Sequence, residues 1–266
     1  MTYNLRVAAE RDEEPSWAAR RDAVASMIRF HDPDVVGVQE ALPHMLADLD
    51  ERLDAYDWVG TGRDAESDEH CALFYRPDRV RLVRHGTFWL SETPDVPGSK
   101  SWGASYPRIV TWAAVPVPDR DGPLYIFNAH FDHDSARARL ESARVLGAQV
   151  DAIAGGAPTV VLGDLNATPD SAPYRRLTRE REGHAFRDAL HESALPHHGP
   201  EETFNGFGDD VQPDGRIDYI FVRGPLRVLR HGTLTDRWGG HYPSDHCPVL
   251  AEIEVPSDDG PGGDPA

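Results

Sequence analysis

In the stretch "YPSDHCPVL", Asp245 and His246 stand side by side between Pro243 and Pro248, at the mouth of an apolar run. Two prolines fix the backbone around an ionisable pair, which a plain surface turn does not need. Four other clusters share this placement. The apolar run 35–38 leads into Gln39-Glu40. The run 124–129 contains Asn128 and leads into His130, with Asp132 and His133 following. The run 159–162 leads into Gly163-Asp164-Leu165-Asn166, and Asp218 stands between Ile217 and Tyr219. Any one cluster reads equally well as an Asx turn or a helix cap. Five at the ends of strands, all carboxylate, amide or imidazole, are the mark of a rigid scaffold presenting chemistry.

The chemistry follows from the residue types. There is no Gly-x-Ser-x-Gly nucleophile turn and no P-loop lysine. Hard oxygen donors in Glu, Asp and Asn suit Mg²⁺ or Mn²⁺. Histidine beside carboxylate suits general acid/base work or a contact to phosphate. Together they describe metal-assisted hydrolysis of a phosphate ester.

The elements that must carry these residues are mostly strands. Short apolar runs at 35–38, 72–75, 109–117, 124–129, 159–162, 217–222 and 249–255 are bounded by turn residues. Leu140, Ala143, Leu146, Val150 and Ile153 recur at helical spacing within 134–154. A second helix is expected over 16–30, with Trp17, Val24, Met27 and Ile28 near one face. The hairpin-like "TWAAVPVPDRDGPLYIFNAH" argues against a purely parallel sheet. The expected fold is a mixed-sheet α/β sandwich forming one domain over 1–255, followed by a disordered acidic tail over 256–266.

Composition narrows the partners. The 266 residues carry a net charge of -18, and Lys100 is the only lysine. Such a chain does not wrap duplex nucleic acid with a broad basic face. The carboxylate excess fits a halophile surface slightly better than arginine-for-lysine coding bias in a GC-rich genome. No apolar run reaches the roughly 18 residues a membrane span needs. Two cysteines, Cys71 and Cys247, give neither a disulfide framework nor zinc-ligand spacing. The expectation is a cytoplasmic monomer without a membrane partner.

The stretches "TYNLR", "VGVQE", "YRPDRV", "NAHFDH", "VLGDLNATPDS", "RIDYIFV" and "YPSDHCPV", in this order and spacing, resemble the endonuclease/exonuclease/phosphatase superfamily. "GTFWLSETPDVPGSKSWG" further resembles a bacterial and archaeal subfamily near the deadenylases and nocturnin. The resemblance implies a four-layer fold, with two packed mixed sheets flanked by helices and a Mg²⁺ (or Mn²⁺) site at one edge. It implies Asn4, Glu40 and Asp245 on the metal side and Asp164 aligning the attacking water. It further implies Asn166 and His130 on the phosphate, and Asp218 orienting His246. The first strand is expected to be short, since only Met1 precedes "TYN". No basic DNA-gripping loop of the abasic-site endonuclease kind is seen, and "PDGRIDYIF" lacks the tryptophan usual in inositol polyphosphate phosphatases.

Three residues are read as substrate contacts. Arg108 suits a second phosphate contact, Trp102 a stacked base, and Asn128 a phosphate or the positioning of His130. Each has a structural alternative: a surface ion pair, a loop anchor, and a tie between strands. The leading function is a Mg²⁺-dependent nuclease, exonuclease-like, on single-stranded nucleic acid. The alternative is a phosphatase or phosphodiesterase on a small or lipid-headgroup phosphoester.

Overall fold

A computed structural model describes residues 1–8, 15–64, 68–179, 185–212 and 215–257. Most of the expected disordered tail, 258–266, lies outside the described residues. Twelve strands occur among the described residues: β1 (Thr2–Asn4), β2 (Val35–Ala41), β3 (Asp57–Val59), β4 (His70–Tyr75), β5 (Arg84–Trp89), β6 (Ile109–Pro116), β7 (Pro123–His130), β8 (Thr159–Asp164), β9 (Arg187–Asp188), β10 (Asp218–Arg223), β11 (Arg227–Thr233) and β12 (Val249–Glu254). They form two six-stranded mixed sheets, ordered β11-β12-β1-β2-β4-β3 and β5-β6-β7-β8-β10-β9. Among the same residues five helices accompany them: α1 (Trp17–His31), α2 (Pro43–Asp50), α3 (Ala136–Ala154), α4 (Ala172–Thr178) and α5 (Ala189–Glu192). None is long and apolar enough to cross a membrane.

Side-chain parity sorts each strand between two faces. Tyr3, Val36, Val38 and Phe74 pack under α1 and α2 with Trp17, Val24, Ile28, Met45 and Leu49. Tyr125, Phe127, Val161, Tyr219 and Phe221 pack under α3 and α4 with Leu146, Val150 and Leu177. The opposite parity fills the space between the sheets with Leu73, Ile126, Val160, Leu162, Ile220 and Val249. The result is the expected α/β sandwich of four layers.

The same parity places the chemistry. Asn4, Gln39, Asn128, His130, Asp164 and Asp218 all fall on the inner parity, at or near one edge. Register aligns them: His130 pairs with Asp164 and Asp164 with Asp218 across one sheet, and Asn4 with Gln39 across the other. The sheets approach closely behind that edge. A Cβ on Gly37 would lie 2.1 Å from Leu162 Cδ1 and 2.7 Å from Asn128 Cγ.

Asn128 lies in that contact. Its Nδ2 donates to the carbonyls of Val38 and Ala72 at 2.9 and 2.8 Å, and its Oδ1 accepts from Gln39 Nε2 at 2.6 Å. Fully buried and with both donors spent, it ties one sheet to the other and leaves substrate nothing to bind. The expectation of a substrate contact at Asn128 is therefore corrected, because its parity points inward but two residues too deep.

Candidate active site

Glu40 reaches the site through an irregularity. Parity places Gln39 between the sheets and would send Glu40 outward, under the helices. The pairing of β2 with β4 shifts between Val38 and Ala41, and Glu40 adopts φ 60°. This bulge turns its carboxylate into the site, at a backbone cost of about 1–3 kcal/mol for a non-glycine residue. There Glu40 Oε1 accepts from Asn4 Nδ2 at 3.1 Å and Oε2 from the Val7 N–H at 2.7 Å. Burial opposes its ionisation, but the Val7 N–H, the His246 charge and the Asn4 amide outweigh it and hold the carboxyl below its ordinary range.

Asn4 links two carboxylates from different sheets. Its Nδ2 also donates to Asp164 Oδ2 at 2.9 Å, while its Oδ1 accepts from the Arg6 N–H at 3.0 Å. In this arrangement Asn4 is a tie between Glu40 and Asp164, and its own oxygen is already engaged. The three-residue first strand holds it nonetheless, fully buried. Asp245 completes this side, 3.7 Å from the half-exposed Arg6 guanidinium. Burial raises its carboxyl, against the His246 charge.

His246 Nδ1 donates to Asp218 Oδ2 at 2.8 Å, and its Nε2 lies 4.0 Å from Asp164 Oδ2. Burial would lower the imidazole, but the charge and hydrogen bond of Asp218, then Asp164 and Asp245, raise it well above its ordinary value. Asp164 is raised by burial first and by Asp218 second. Its Oδ1 accepts from the Asn166 N–H at 2.8 Å, with Asn166 in the left-handed region at φ 47°. Asn166 Nδ2 donates to the Phe131 carbonyl at 3.1 Å, which anchors the residue beside β7.

On the opposite flank, His130 Nε2 lies 3.6 Å from Asp164 Oδ2 and 4.0 Å from Glu40 Oε1. Arg108 Nη1 donates to His130 Nδ1 at 3.0 Å and Nη2 to His133 Nδ1 at 2.7 Å. Burial, then the charges of Arg108 and Arg63, drive His130 well below its ordinary value, so it is a neutral imidazole. Arg108 itself is 4% exposed. Trp102 is half-buried in the preceding loop, with its carbonyl accepting from Ser135 Oγ at 2.9 Å. Among the described residues no ring or polar contact joins its indole to the cluster. Tyr106 is the exposed aromatic on this rim, 4.5 Å under the Arg63 guanidinium and stacked 6.1 Å from His133.

The donor set fits a divalent cation. Glu40 and Asp164 share the Asn4 amide, and Asp245 adds a third hard oxygen donor beside Arg6, the donor type that suits a small divalent cation. The tightest acidic and imidazole grouping among the described residues is Asp164, Asp218 and His246, with candidate atoms within 4.8 Å of one another. The Asp218–His246 hydrogen bond already occupies two of those groups, which leaves Glu40, Asp164 and Asp245 as the carboxylates here without a hydrogen bond to an imidazole.

Sequence reasoning missed Glu69, Arg6 and Thr203. Glu69 is buried 3.7 Å from His130 Nδ1 and binds Arg63 at 2.7 Å; burial pushes its carboxyl up to about 7. Its signal was available, because Glu69-His70 precedes the run 72–75 as the other clusters adjoin theirs. Thr203 donates to Asp218 Oδ2 at 2.6 Å from a loop with no apolar pattern to announce it.

The family model for the Endonuclease/Exonuclease/phosphatase family matches residues 1–246. The fold is similar to mannosyl-6-phosphatase Bt3783 of Bacteroides thetaiotaomicron, with a TM-score of 0.86, 36% identity, and coverage of 96% of this chain and 98% of that one. It is also similar to TDP2 of D. rerio complexed with a single-strand DNA product, at TM-score 0.73 and 18% identity over 96% of this chain and 97% of that one, a likeness of fold alone. Among curated proteins, endonuclease/exonuclease/phosphatase family domain-containing protein 1 of Rattus norvegicus is 28% identical over 145 residues, 49% of this chain and 23% of that protein. The chain spans less than half the length of the curated relatives it matches.

Proposed function

The chain belongs to the Endonuclease/Exonuclease/phosphatase family, whose members are phosphoesterases, and from that premise we propose that it hydrolyses a small phosphomonoester, a sugar phosphate first, with Mg²⁺ or Mn²⁺. One observation carries the choice of a small substrate: the cations beside His130 are spent on the protein. Arg108 binds two histidines, Arg63 binds Glu69, Arg139 binds the carbonyls of Asp132 and His133, and Lys100 binds the Ser105 carbonyl. On a chain of net charge -18 they leave no basic track for a polyanion. The likeness to a mannosyl-6-phosphatase over nearly the whole chain supports the same reading.

Glu40 and Asp245 would hold the cation, with Asp164 at its flank. When bound, the ion neutralises phosphate oxygens and polarises the ester for attack. Asp164, held through Oδ1 by the Asn166 N–H, keeps Oδ2 toward the reacting centre to orient water and take its proton. His246, oriented through Nδ1 by Asp218, offers its Nε2–H to the charge that builds on phosphate. His130, whose two ring nitrogens lie 3.0 and 3.1 Å from Arg108 Nη1, stands on the phosphate side as a neutral imidazole. Asn166 stands on the same side. The enzyme acts as a cytoplasmic monomer in this reading.

The second reading is the exonuclease-like enzyme on single strands, in the deadenylase and nocturnin branch. It is favoured by the "GDLNATPDS" stretch, which is similar to the deadenylase form of that motif, and by the exposed ring of Tyr106, which suits a stacked base better than Trp102 does. A panel of hexose phosphates and matched single- and double-stranded oligonucleotides, with Mg²⁺, Mn²⁺ or EDTA, separates the two. Hexose phosphates should turn over fastest and EDTA should abolish the reaction. Faster cutting of single strands would replace the first reading with the second, and full activity in EDTA would sink both.

A further inference from the structure

The Asp218–His246 pair is held by a clip that lies outside the strands. Residues 203–206 touch both partners. The Cys247 N–H donates to the Thr203 carbonyl at 2.7 Å, and Phe204 pairs with His246 and sets its ring edge-on to the imidazole at 5.1 Å. The N–H groups of Asn205 and Gly206 donate to the Asp245 carbonyl at 2.8 and 3.0 Å, and Asn205 Nδ2 donates to the Ser244 carbonyl at 3.0 Å.

Thr203 is the centre of the clip. Its hydroxyl oxygen accepts from the N–H groups of Ile217 and Asp218 at 3.2 and 3.1 Å. Both lone pairs are therefore engaged, and the single O–H must point elsewhere. Asp218 Oδ2 accepts it at 2.6 Å, a charge-assisted geometry, and the other acceptor in reach, the Gly215 carbonyl, is 3.3 Å away. The same Oδ2 accepts from His246 Nδ1, while the buried Oδ1 takes no hydrogen bond from the described residues. The carboxylate torsion is broad in isolation, so the hydroxyl is what fixes the plane that His246 meets.

We propose that Thr203 is a positioning residue for hydrolysis, its hydroxyl locking the Asp218 carboxylate in the orientation that aims His246 at the phosphate. This rests on the reading of Asp218–His246 as a working pair and holds whichever phosphoester is the substrate. Thr203→Val keeps the shape and removes the O–H. With Mg²⁺ and the best substrate of the panel, it should lower kcat by about ten- to a hundred-fold with KM changed less than about three-fold, as expected for misorientation of a reacting group. Thr203→Ser should stay within about three-fold of the unmodified enzyme. In an Asp218→Asn background, adding Thr203→Val should cost less than about three-fold more, because the hydroxyl acts through that carboxylate. Mn²⁺ affinity by calorimetry should be the same in Thr203→Val, since the clip does not touch the metal side chains.

A Thr203→Val enzyme within about three-fold in kcat, a Thr203→Ser enzyme as poor as the valine variant, or a matching loss of Mn²⁺ affinity would overturn the proposal. If Thr203→Val does not fold, Thr203→Ala against Thr203→Ser makes the same comparison. His246→Ala is measured alongside: full activity there would sink the reading of the pair itself, a different failure from that of the clip.

Discussion

At the scale of single residues, the site is a row of side chains whose neighbours decide their charge. His246 and His130 share burial and end oppositely. Asp218 and Asp164 raise His246, while Arg108 and Arg63 lower His130. The first is set to hold a proton and the second to stay neutral, which in the proposed reaction gives them different parts. His246→Ala should therefore lower kcat by about a hundred- to ten-thousand-fold with a much smaller change in KM, the range for a positioned acid/base group. Asp218→Asn should lose part of that, because it leaves the imidazole in place without its charged partner. Steady-state kinetics on the best phosphoester checks both, and rates near those of the unmodified enzyme would reduce the pair to a structural hydrogen bond. The residue types at this site were legible: each of the five clusters brings at least one member to it, Glu40, His130, Asp164, Asp218 and Asp245-His246, while Gln39 and Asn128 tie the sheets together behind. What the sequence hid was depth. Asn128 and His130 differ by two positions on one face, and only the packing shows that the first is a strut while the second stands beside Asp164 and Glu40.

At the scale of elements, the strands found from apolar runs are interior ones, and those missed lie mainly at the edges. β3, β5, β9 and β11 end the two sheets. Edge strands are short or carry charge, as in "RHGTFW" and "RVLRHGT", because a bare apolar edge invites aggregation. The pattern that identifies a core strand is therefore absent from them for a physical reason. The bulge at Gln39-Glu40 was equally invisible, since no alternation rule anticipates two residues set against one. The close approach of the sheets at Gly37 makes a test. Gly37→Ala should destabilise the protein by roughly 1–3 kcal/mol, the usual cost of overpacking, because its Cβ would collide with Leu162 and with Asn128. Urea unfolding measures this, and an unchanged midpoint would show that the sheets can separate without cost.

At the scale of the whole molecule, charge and pH act on stability. If the carboxylate excess is a surface adaptation, screening should matter: the Debye length falls from about 10 Å at 0.1 M to about 3 Å at 1 M salt. The thermal midpoint should then rise across that range of KCl, and a flat or falling midpoint would favour coding bias. Acid should act through His231. Its Nδ1 lies 2.9 Å from His197 Nδ1, and burial first, then the His197 charge, push it down to about 4. The unfolded chain, near 6.5, binds that proton earlier than the folded one. The contribution is thus complete above pH 6.5 and is lost as pH falls from there toward 4. The stability advantage over His231→Gln should shrink through that window in urea titrations; a constant difference would mean that His231 does not titrate there.

The tie made by Asn4 has a kinetic consequence. Glu40 and Asp164 belong to different sheets, and the first sheet takes its strands from both ends of the chain while the second is built from the middle. The second sheet sets His130, Asp164 and Asp218 side by side through its own pairing, but either sheet can recover its pairing before Asn4, Glu40 and His246 reach them. During refolding, the far-ultraviolet signal of strands should therefore return before hydrolysis does, and the lag between them times the docking of one sheet onto the other. In this architecture, turnover is a clock for the last step of folding.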